Sequence, residues 1–338
     1  MTKALALDVG GANLKLSDGE DYSCSQSFLL WREHSRLGTA LADLLVQAPA
    51  AEVLAVTMTG ELADCFATKA EGVGLILNAV EQAAGGRRVF VYLCDGRLVC
   101  PQVARTEAML AAASNWHVLA SYAGRFCNGE AGLLIDIGST TCDLIPFDCE
   151  RPRAIGRNDP ERLAAGELVY TGVERSPICA LAQELPWRGE ACAVAQEVFA
   201  TTLDAYLLLS ELAEDANDRE TADGRSRTKH DALGRLARMI CADVTMFSDA
   251  DGMGMAEAVR ESQLRLLLTA ARRVLNRIES PPATIVISGQ GEFLARHLIE
   301  RLGTKGQVVS LAQELGLEAS RAACAFALAT LARERSGE

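Results

Sequence analysis

The chain has 338 residues, 49% of them hydrophobic and 23% charged, with a formal net charge of −12. That much apolar material excludes a disordered chain, and the length exceeds what one core usually fills, so two domains are expected. The acidic balance excludes a sequence-independent grip on DNA or RNA, which needs Lys and Arg clustered against phosphates, but leaves room for a small anion in a local pocket.

Lys3–Asp8 reads as a short strand, and Asp8 with Gly10-Gly11 interrupts the apolar run before it reaches the length of an export signal. Leu14–Ser17 resumes as the return strand of a hairpin. Helical periodicity follows over Gly38–Gln47, then a buried strand at Val53–Met58 that breaks at Thr59-Gly60, then a helix over Leu75–Ala83. Val89–Cys94 and Arg97–Cys100 flank the Asp95-Gly96 turn, and Glu107–Ala123 reads as one helix. Ala108–Gly124 lacks Asp, Glu, Lys and Arg but holds Ser114, Asn115 and His117, so it is not a membrane span; no membrane partner and a cytoplasmic location are expected.

Gly132–Ile137 and Leu144–Phe147 form another hairpin around Gly138-Ser139-Thr140-Thr141. Pro177–Leu212 and His230–Asp243 read as mostly helical, split by a charged, solvated loop over Glu211–Asp231. Val259–Ile278 is an amphipathic helix stopped by Pro281-Pro282. The strand Thr284–Ser288 leads through Gly289-Gln290-Gly291 into a helix over Phe293–Leu302, and the alanine-rich Glu318–Arg333 is a packing helix. Eleven scattered cysteines, with no C-x-x-C and no zinc-finger spacing of Cys and His, read as reduced and mostly buried thiols; Cys127 and Cys142 are assigned to the core.

The opening hairpin occurs twice. Leu5-Ala6-Leu7-Asp8-Val9-Gly10-Gly11-Ala12 aligns with Leu133-Leu134-Ile135-Asp136-Ile137-Gly138-Ser139-Thr140 at an offset of 128 residues. Such a spacing marks a duplicated domain, since solenoid repeats run about 20–50 residues. In the first loop Gly10, Gly11 and Asn13 let backbone N–H groups approach an anion, and Asp8 suits a hydrated divalent cation. In the second, Asp136, Gly138, Ser139, Thr140 and Thr141 offer the same chemistry, so two such loops can face one another across a cleft. The turn Gly289-Gln290-Gly291 before a helix adds a third anion- or ribose-friendly surface.

The order Asp8-x-Gly10-Gly11, Asp136-x-Gly138-Ser139-Thr140-Thr141 and Ser288-Gly289-Gln290-Gly291 resembles the two phosphate motifs and the adenosine motif of the actin, sugar-kinase and Hsp70 superfamily. The stretches Thr57–Asp64, Ser114–His117 and Gly166–Val173 resemble more narrowly its hydantoinase A-like branch, and within it the tetrahydromethanopterin-linked C1-transfer group. The resemblance spans nearly the whole chain. It implies an α/β, two-domain actin-like ATPase (ribonuclease H-like) fold with an inter-domain cleft. Residues 1–125 would form the first domain, with the helix at 318–338 packed back on it, and residues 126–317 the second, with a helical insertion. Ala12 departs from the threonine that kinase-like relatives carry after the first glycine pair, which argues against ATP hydrolysis.

The reaction the resemblance implies is a transfer in methanofuran biosynthesis: an aminomethylfuran diphosphate condenses with the phenol of a tyramine-type substrate and releases pyrophosphate. Asp8 and Asp136 are then assigned to Mg²⁺, largely through water, and the two loops to the diphosphate, which Lys15 would help neutralise. A phenol with a pKa of about 10 benefits from a base, and Glu61 after the β-strand end is the candidate, against its alternative as a helix-start carboxylate. Tyr170, Thr171 and Arg175 are carried over as acceptor-pocket residues, Arg175 suiting a bidentate carboxylate grip and otherwise a surface salt bridge. Asp204 sits in the otherwise uncharged Ala200–Ser210, where an unpaired buried carboxylate is costly, and is a further catalytic candidate. His117 is read as a packed helix residue. Two other readings stand beside the transferase: an ATP-dependent kinase or hydantoinase A-like ATPase, and a non-catalytic nucleotide-binding scaffold. The sequence leaves a homodimer open.

Overall fold

The computed structural model describes residues 3–127, 129–149 and 151–335. The first sheet pairs β1 (Ala4–Val9) antiparallel with β2 (Asn13–Ser17), which pairs with β3 (Ser23–Ser27). On the other side of β1 run β4 (Val53–Met58) and β5 (Arg88–Tyr92) in parallel, and β6 (Leu98–Val99) closes that edge. The second sheet repeats the plan. β7 (Ala131–Ile137) pairs antiparallel with β8 (Cys142–Asp148), which carries β9 (Arg151–Pro152) and β10 (Leu168–Val169). A separate hairpin, β11 (Glu184–Trp187) with β12 (Glu190–Ala193), lies in the helical insertion, and β13 (Thr284–Ser288) and β14 (Gln307–Ser310) continue the second sheet in parallel beyond β7.

Period-two alternation on these strands sorts the core into layers. Leu5, Leu7 and Val9 of β1 and Leu54, Val56 and Met58 of β4 face the helices Leu37–Val46 and Lys69–Ala83. Their neighbours Ala4, Ala6, Val53 and Ala55 face inward, as do Leu134, Ile145, Phe147 and Val286 of the second sheet. Both inner faces clasp the helices Asn115–Ala123 and Ala323–Arg335 between them. Alanines on the inner face of the first sheet let the alanine-rich Ala323–Arg335 come close, and its residues 323–332 are all buried. Leu133, Ile135, Ile285 and Ile287 face outward onto Asp249–Leu275 and Glu292–Leu302. Each fully buried aliphatic side chain contributes roughly 1.5–3 kcal/mol relative to exposure.

Several elements differ from expectation for local reasons. Pro177–Leu212 is largely non-helical: positive φ at Arg188 (52°) and Gly189 (87°) turns the chain into the β11–β12 hairpin, leaving only Ile178–Leu181 and Thr202–Leu208 helical. Glu107–Ala123 is broken at Ala113, whose φ of 48° ends one helix at Ala111 before the next starts at Asn115. The helices read as Leu75–Ala83 and Val259–Ile278 begin earlier, at Lys69 and Asp249, where the side chains of Thr68 and Ser248 cap them. The 211–231 loop is not merely solvated, because Arg227 pairs with Glu174 at 2.9 Å and Asp223 with the fully buried Arg235 at 3.0 Å. Of the eleven free cysteines only Cys142 and Cys324 are buried, while Cys100, Cys149 and Cys241 are exposed and Cys127 is half-buried.

Candidate active site

Asp8 and Asp136 lie near the carboxyl ends of β1 and β7, each flanked by a parallel strand, the place where open α/β sheets bind ligands. The two loops that follow are closed by the same bond: the Gly10 N–H donates to the Asn13 carbonyl at 3.0 Å and that of Gly138 to the Thr141 carbonyl at 2.9 Å. Each is also pinned from behind. Thr59 and Gly60 donate to the Val9 carbonyl, and Gly291 donates to Ile137, its counterpart in the second half. The loops border a cleft of about 740 Å³, lined among others by Asn13, Lys15, Glu61, Ser139, Thr140, Tyr170 and Arg175. Cys324, near the N-terminal end of Ala323–Arg335, also reaches it, so the positive end of that helix dipole lies at the floor.

The charges on the floor are ordered by strand register. On β1 and β2, Asp8 stands opposite Lys15, whose Nζ is 3.5 Å from Asp8 Oδ2. Burial pushes the Asp8 carboxyl up, while the same lysine pulls it back. On β7 and β8, Asp136 stands opposite Asp143. Burial and then the Asp143 carboxylate push Asp136 up to about 6. The cation that balances Asp143 is Arg162, nearly fully buried, which also reaches Asp159 at 3.3 Å and stacks on Trp116 at 4.4 Å. Asp8 Oδ1 is buried without a hydrogen-bond partner. An unengaged carboxylate oxygen beside a like-charged aspartate pair fits a hydrated divalent cation. Among the described residues no three His, Cys, Asp or Glu side chains form a metal cage.

Glu61, 1% exposed, follows the Thr59-Gly60 turn; its Oε1 lies 3.5 Å from Lys69 Nζ and its Oε2 has no partner. Lys69 is also 2.5 Å from Asp159 of the second half. At the mouth, Tyr170 is 64% exposed and the Arg175 guanidinium lies 4.8 Å from the ring centre of Trp31, a contact across the two halves.

Four expected site residues do not line the cleft. Asp204, 1% exposed, completes a capping box with Thr201 and binds the Arg235 guanidinium at 2.7 Å inside the helical insertion, where burial still pushes it up to about 6. Thr171 is buried against Ser176 and Gln263, each at 2.8 Å. Gly289 and Gly291 face inward: a Cβ on Gly289 would sit 2.3 Å from the Ile137 carbonyl oxygen, and one on Gly291 2.5 Å from the Ile137 side chain. They support the second loop from beneath. His117 is packed as expected, bonded to Tyr92 at 2.9 Å.

Sequence reasoning did not single out Asp143, Arg162, Lys69, Asp159 or Trp31. The repeat itself carried one signal, since the 128-residue offset that aligns Asp8 with Asp136 also sets Lys15 against Asp143. The T-x-x-D signature Thr201–Asp204 marked Asp204 as a helix start. The motif Ser114–His117 is largely architectural: Ser114 bonds Thr57, Trp116 supports Arg162, and only Asn115 lines the cleft.

No helix of the described residues is long and apolar enough to cross a membrane. A nucleotide-free structure of acetone carboxylase, determined in work on ATP-dependent acetone carboxylation, superposes with a TM-score of 0.56 at 11% identity, covering 97% of this chain and 70% of that one. The two share an α/β fold. Two (4-{4-[2-(gamma-L-glutamylamino)ethyl]phenoxymethyl}furan-2-yl)methanamine synthases are similar in sequence. That of Methanocaldococcus jannaschii is 30% identical over 334 residues, 98% of each chain, and that of Methanococcus vannielii 28% identical over 201 residues, 59% of this chain and 89% of its own. A family model described as Hydantoinase/oxoprolinase matches residues 52–335, from the strand that carries the Glu61 turn to the helix that closes the cleft floor, and the chain belongs to that family.

Proposed function

We propose that this chain is a transferase that joins an aminomethylfuran diphosphate to the phenol oxygen of a γ-glutamylated tyramine, releasing pyrophosphate, in methanofuran-type cofactor biosynthesis. The observation that carries this reading is the 30% identity over 98% of both chains with a synthase whose product name contains a phenoxymethylfuran, a CH₂–O bond between furan and phenol. In the reaction the phenol oxygen forms a bond to the furylmethyl carbon. The carbon–oxygen bond to the diphosphate breaks, its electron pair leaves on pyrophosphate, and the phenol proton passes to a base.

A methylene conjugated with the furan tolerates positive charge, so departure of the diphosphate dominates the barrier and donors are needed where negative charge grows. The backbone N–H groups of Gly11 and Asn13, with the backbone N–H groups and hydroxyls of Ser139, Thr140 and Thr141, suit that task, Gly10 and Gly138 shaping the loops through the hydrogen bonds that close them, and Lys15 supplies a fixed cation. Asp8 and Asp136 would hold Mg²⁺ largely through water, and the ion would neutralise the departing pyrophosphate. Glu61, buried with a free Oε2 at the cleft, would take the phenol proton. At the mouth, Tyr170, Trp31 and Arg175 suit the acceptor, Arg175 gripping a carboxylate of its glutamyl end. Ala12 and the inward-turned Gly289–Gly291 support a diphosphate over a nucleotide.

The test is to incubate the chain with an aminomethylfuran diphosphate, γ-glutamyltyramine and Mg²⁺. Ether product with equimolar pyrophosphate is expected, with both lost in Asp8→Ala and Asp136→Ala. Product that forms only with ATP, or calorimetric binding of a non-hydrolysable ATP analogue in preference to pyrophosphate, would overturn the reading in favour of a kinase or ATPase; nucleotide binding with no turnover would favour the scaffold.

A further inference from the structure

Glu61 is held in place by the helix that carries its cation. A Cβ at Gly72 would lie 2.3 Å from the Glu61 carbonyl oxygen, so the Glu61 main chain rests directly on the helix Lys69–Ala83, whose first residue is Lys69. Lys69 Nζ is shared unequally, 2.5 Å from Asp159 Oδ2 and 3.5 Å from Glu61 Oε1. Asp159 belongs to the second half and is fixed by Arg162, which in turn holds Asp143 opposite Asp136. A row of alternating charges, Glu61, Lys69, Asp159, Arg162, Asp143, thus runs under the cleft from one half to the other. The counterpart of Glu61 after the other half's turn, Glu292, has both oxygens engaged, by the Ser310 hydroxyl and the Ala312 N–H. Glu61 keeps one oxygen unengaged.

We infer that Lys69 is a positioning residue that sets the charge state of Glu61, and that Asp159, by competing for the same ammonium, ties that charge state to how the two halves meet. The part of this that concerns turnover rests on the proposed transferase; the part that concerns Glu61 does not. The groups facing Glu61 are few. Burial pushes its carboxyl up, Lys69 and then its own main-chain N–H pull it down, and Asp159 pushes it up again. The nearby Cys94 thiol is pushed up to about 12 by burial.

The shared ammonium gives two variants opposite signs. Lys69→Met removes the cation, and the Glu61 titration is expected to rise by about one pH unit or more; Asp159→Asn frees the ammonium for Glu61, and the titration is expected to fall by about as much. Lys69→Arg should restore the wild-type value. The readout is the carboxyl ¹³C titration of the full chain labelled at glutamate, with Glu61 assigned by its loss in Glu61→Gln, beside the acid limb of the pH–rate profile for ether formation. A purely structural ion pair would lower thermal stability in both variants and leave the titration still. Shifts of the same sign in both, or none in either, would overturn the inference. If Lys69→Met does not fold, Asp159→Asn decides alone: a downward shift supports the inference, and no shift or an upward one overturns it. Opposite shifts in a chain that makes no ether would sink the transferase reading and leave this inference standing. An active chain whose Glu61 titration ignores both variants would do the reverse.

Discussion

The two hairpins at the cleft are copies in backbone and opposites in charge. Both place an aspartate near the strand end, close the turn with one equivalent hydrogen bond and receive a glycine N–H from the neighbouring strand's turn. They part at the residue facing the aspartate, Lys15 in the first and Asp143 in the second. The first hairpin is therefore balanced within itself. The second places two carboxylates side by side and borrows Arg162 from a helix beyond its return strand. Duplication preserves what the main chain needs, and divergence at one cross-strand position decides whether a loop brings its own cation or must recruit one.

The sharpest way to break this comparison is to remove the borrowed cation. Arg162→Met strands the buried Asp143, while Asp159 keeps Lys69, and is expected to lower unfolding stability by ~3–5 kcal/mol, read from urea denaturation. Adding Asp143→Asn should recover part of that loss; a double variant no more stable than the single would mean that Arg162 does not balance Asp143. Next in size is the support beneath each loop. A Cβ at Gly172 would lie 2.4 Å from the Ser139–Thr140 backbone, whereas one at Gly60 meets the end of the Leu30 side chain at 2.5 Å and the Gly10 backbone only at 3.1 Å. Gly172→Ala should therefore weaken Mg²⁺-pyrophosphate binding by ~1–3 kcal/mol and Gly60→Ala by less, as calorimetry would show; the reverse order would mean that the second loop is not the more tightly backed of the two. The smallest effect separates the fixed cation from the recruited one. Asp143→Asn should weaken the Mg²⁺ dependence of pyrophosphate binding roughly tenfold, about 1.4 kcal/mol, while Lys15→Met lowers affinity with and without Mg²⁺ alike. Equal Mg²⁺ dependence in the two variants would erase the distinction.

What was legible in the sequence follows from how local each signal is. β4 and β13 are short, fully buried and largely apolar runs bounded by turns and match their expected limits, and β1 and β7 differ by a residue or two. The glycine loops were legible for the same reason, since a tight turn needs residue types that only its own few positions can supply. Helix starts were missed where polar caps precede the periodic region, as at Thr68 and Ser248. The ionic partners were out of reach: Lys69 and Asp159 are 90 residues apart, Arg162 and Asp143 are 19 apart, and nothing in either segment's own pattern points to the other. Asp204 misled for that reason too, because the guanidinium that makes its burial tolerable comes 31 residues later on a different helix.

The helix Ala323–Arg335 lies against β1, β2 and β4, and Arg333 donates to the Gly19 carbonyl from 314 residues downstream. On the ribosome, β1 and β4 emerge long before the helix that covers their inner face. Ala4, Ala6, Val53 and Ala55 therefore stay without their cover while nearly the entire remaining chain is made. Such sequence-distant closure slows folding, so synthesis rate and chaperone supply, rather than the final stability, should limit how much of the protein accumulates in a cell.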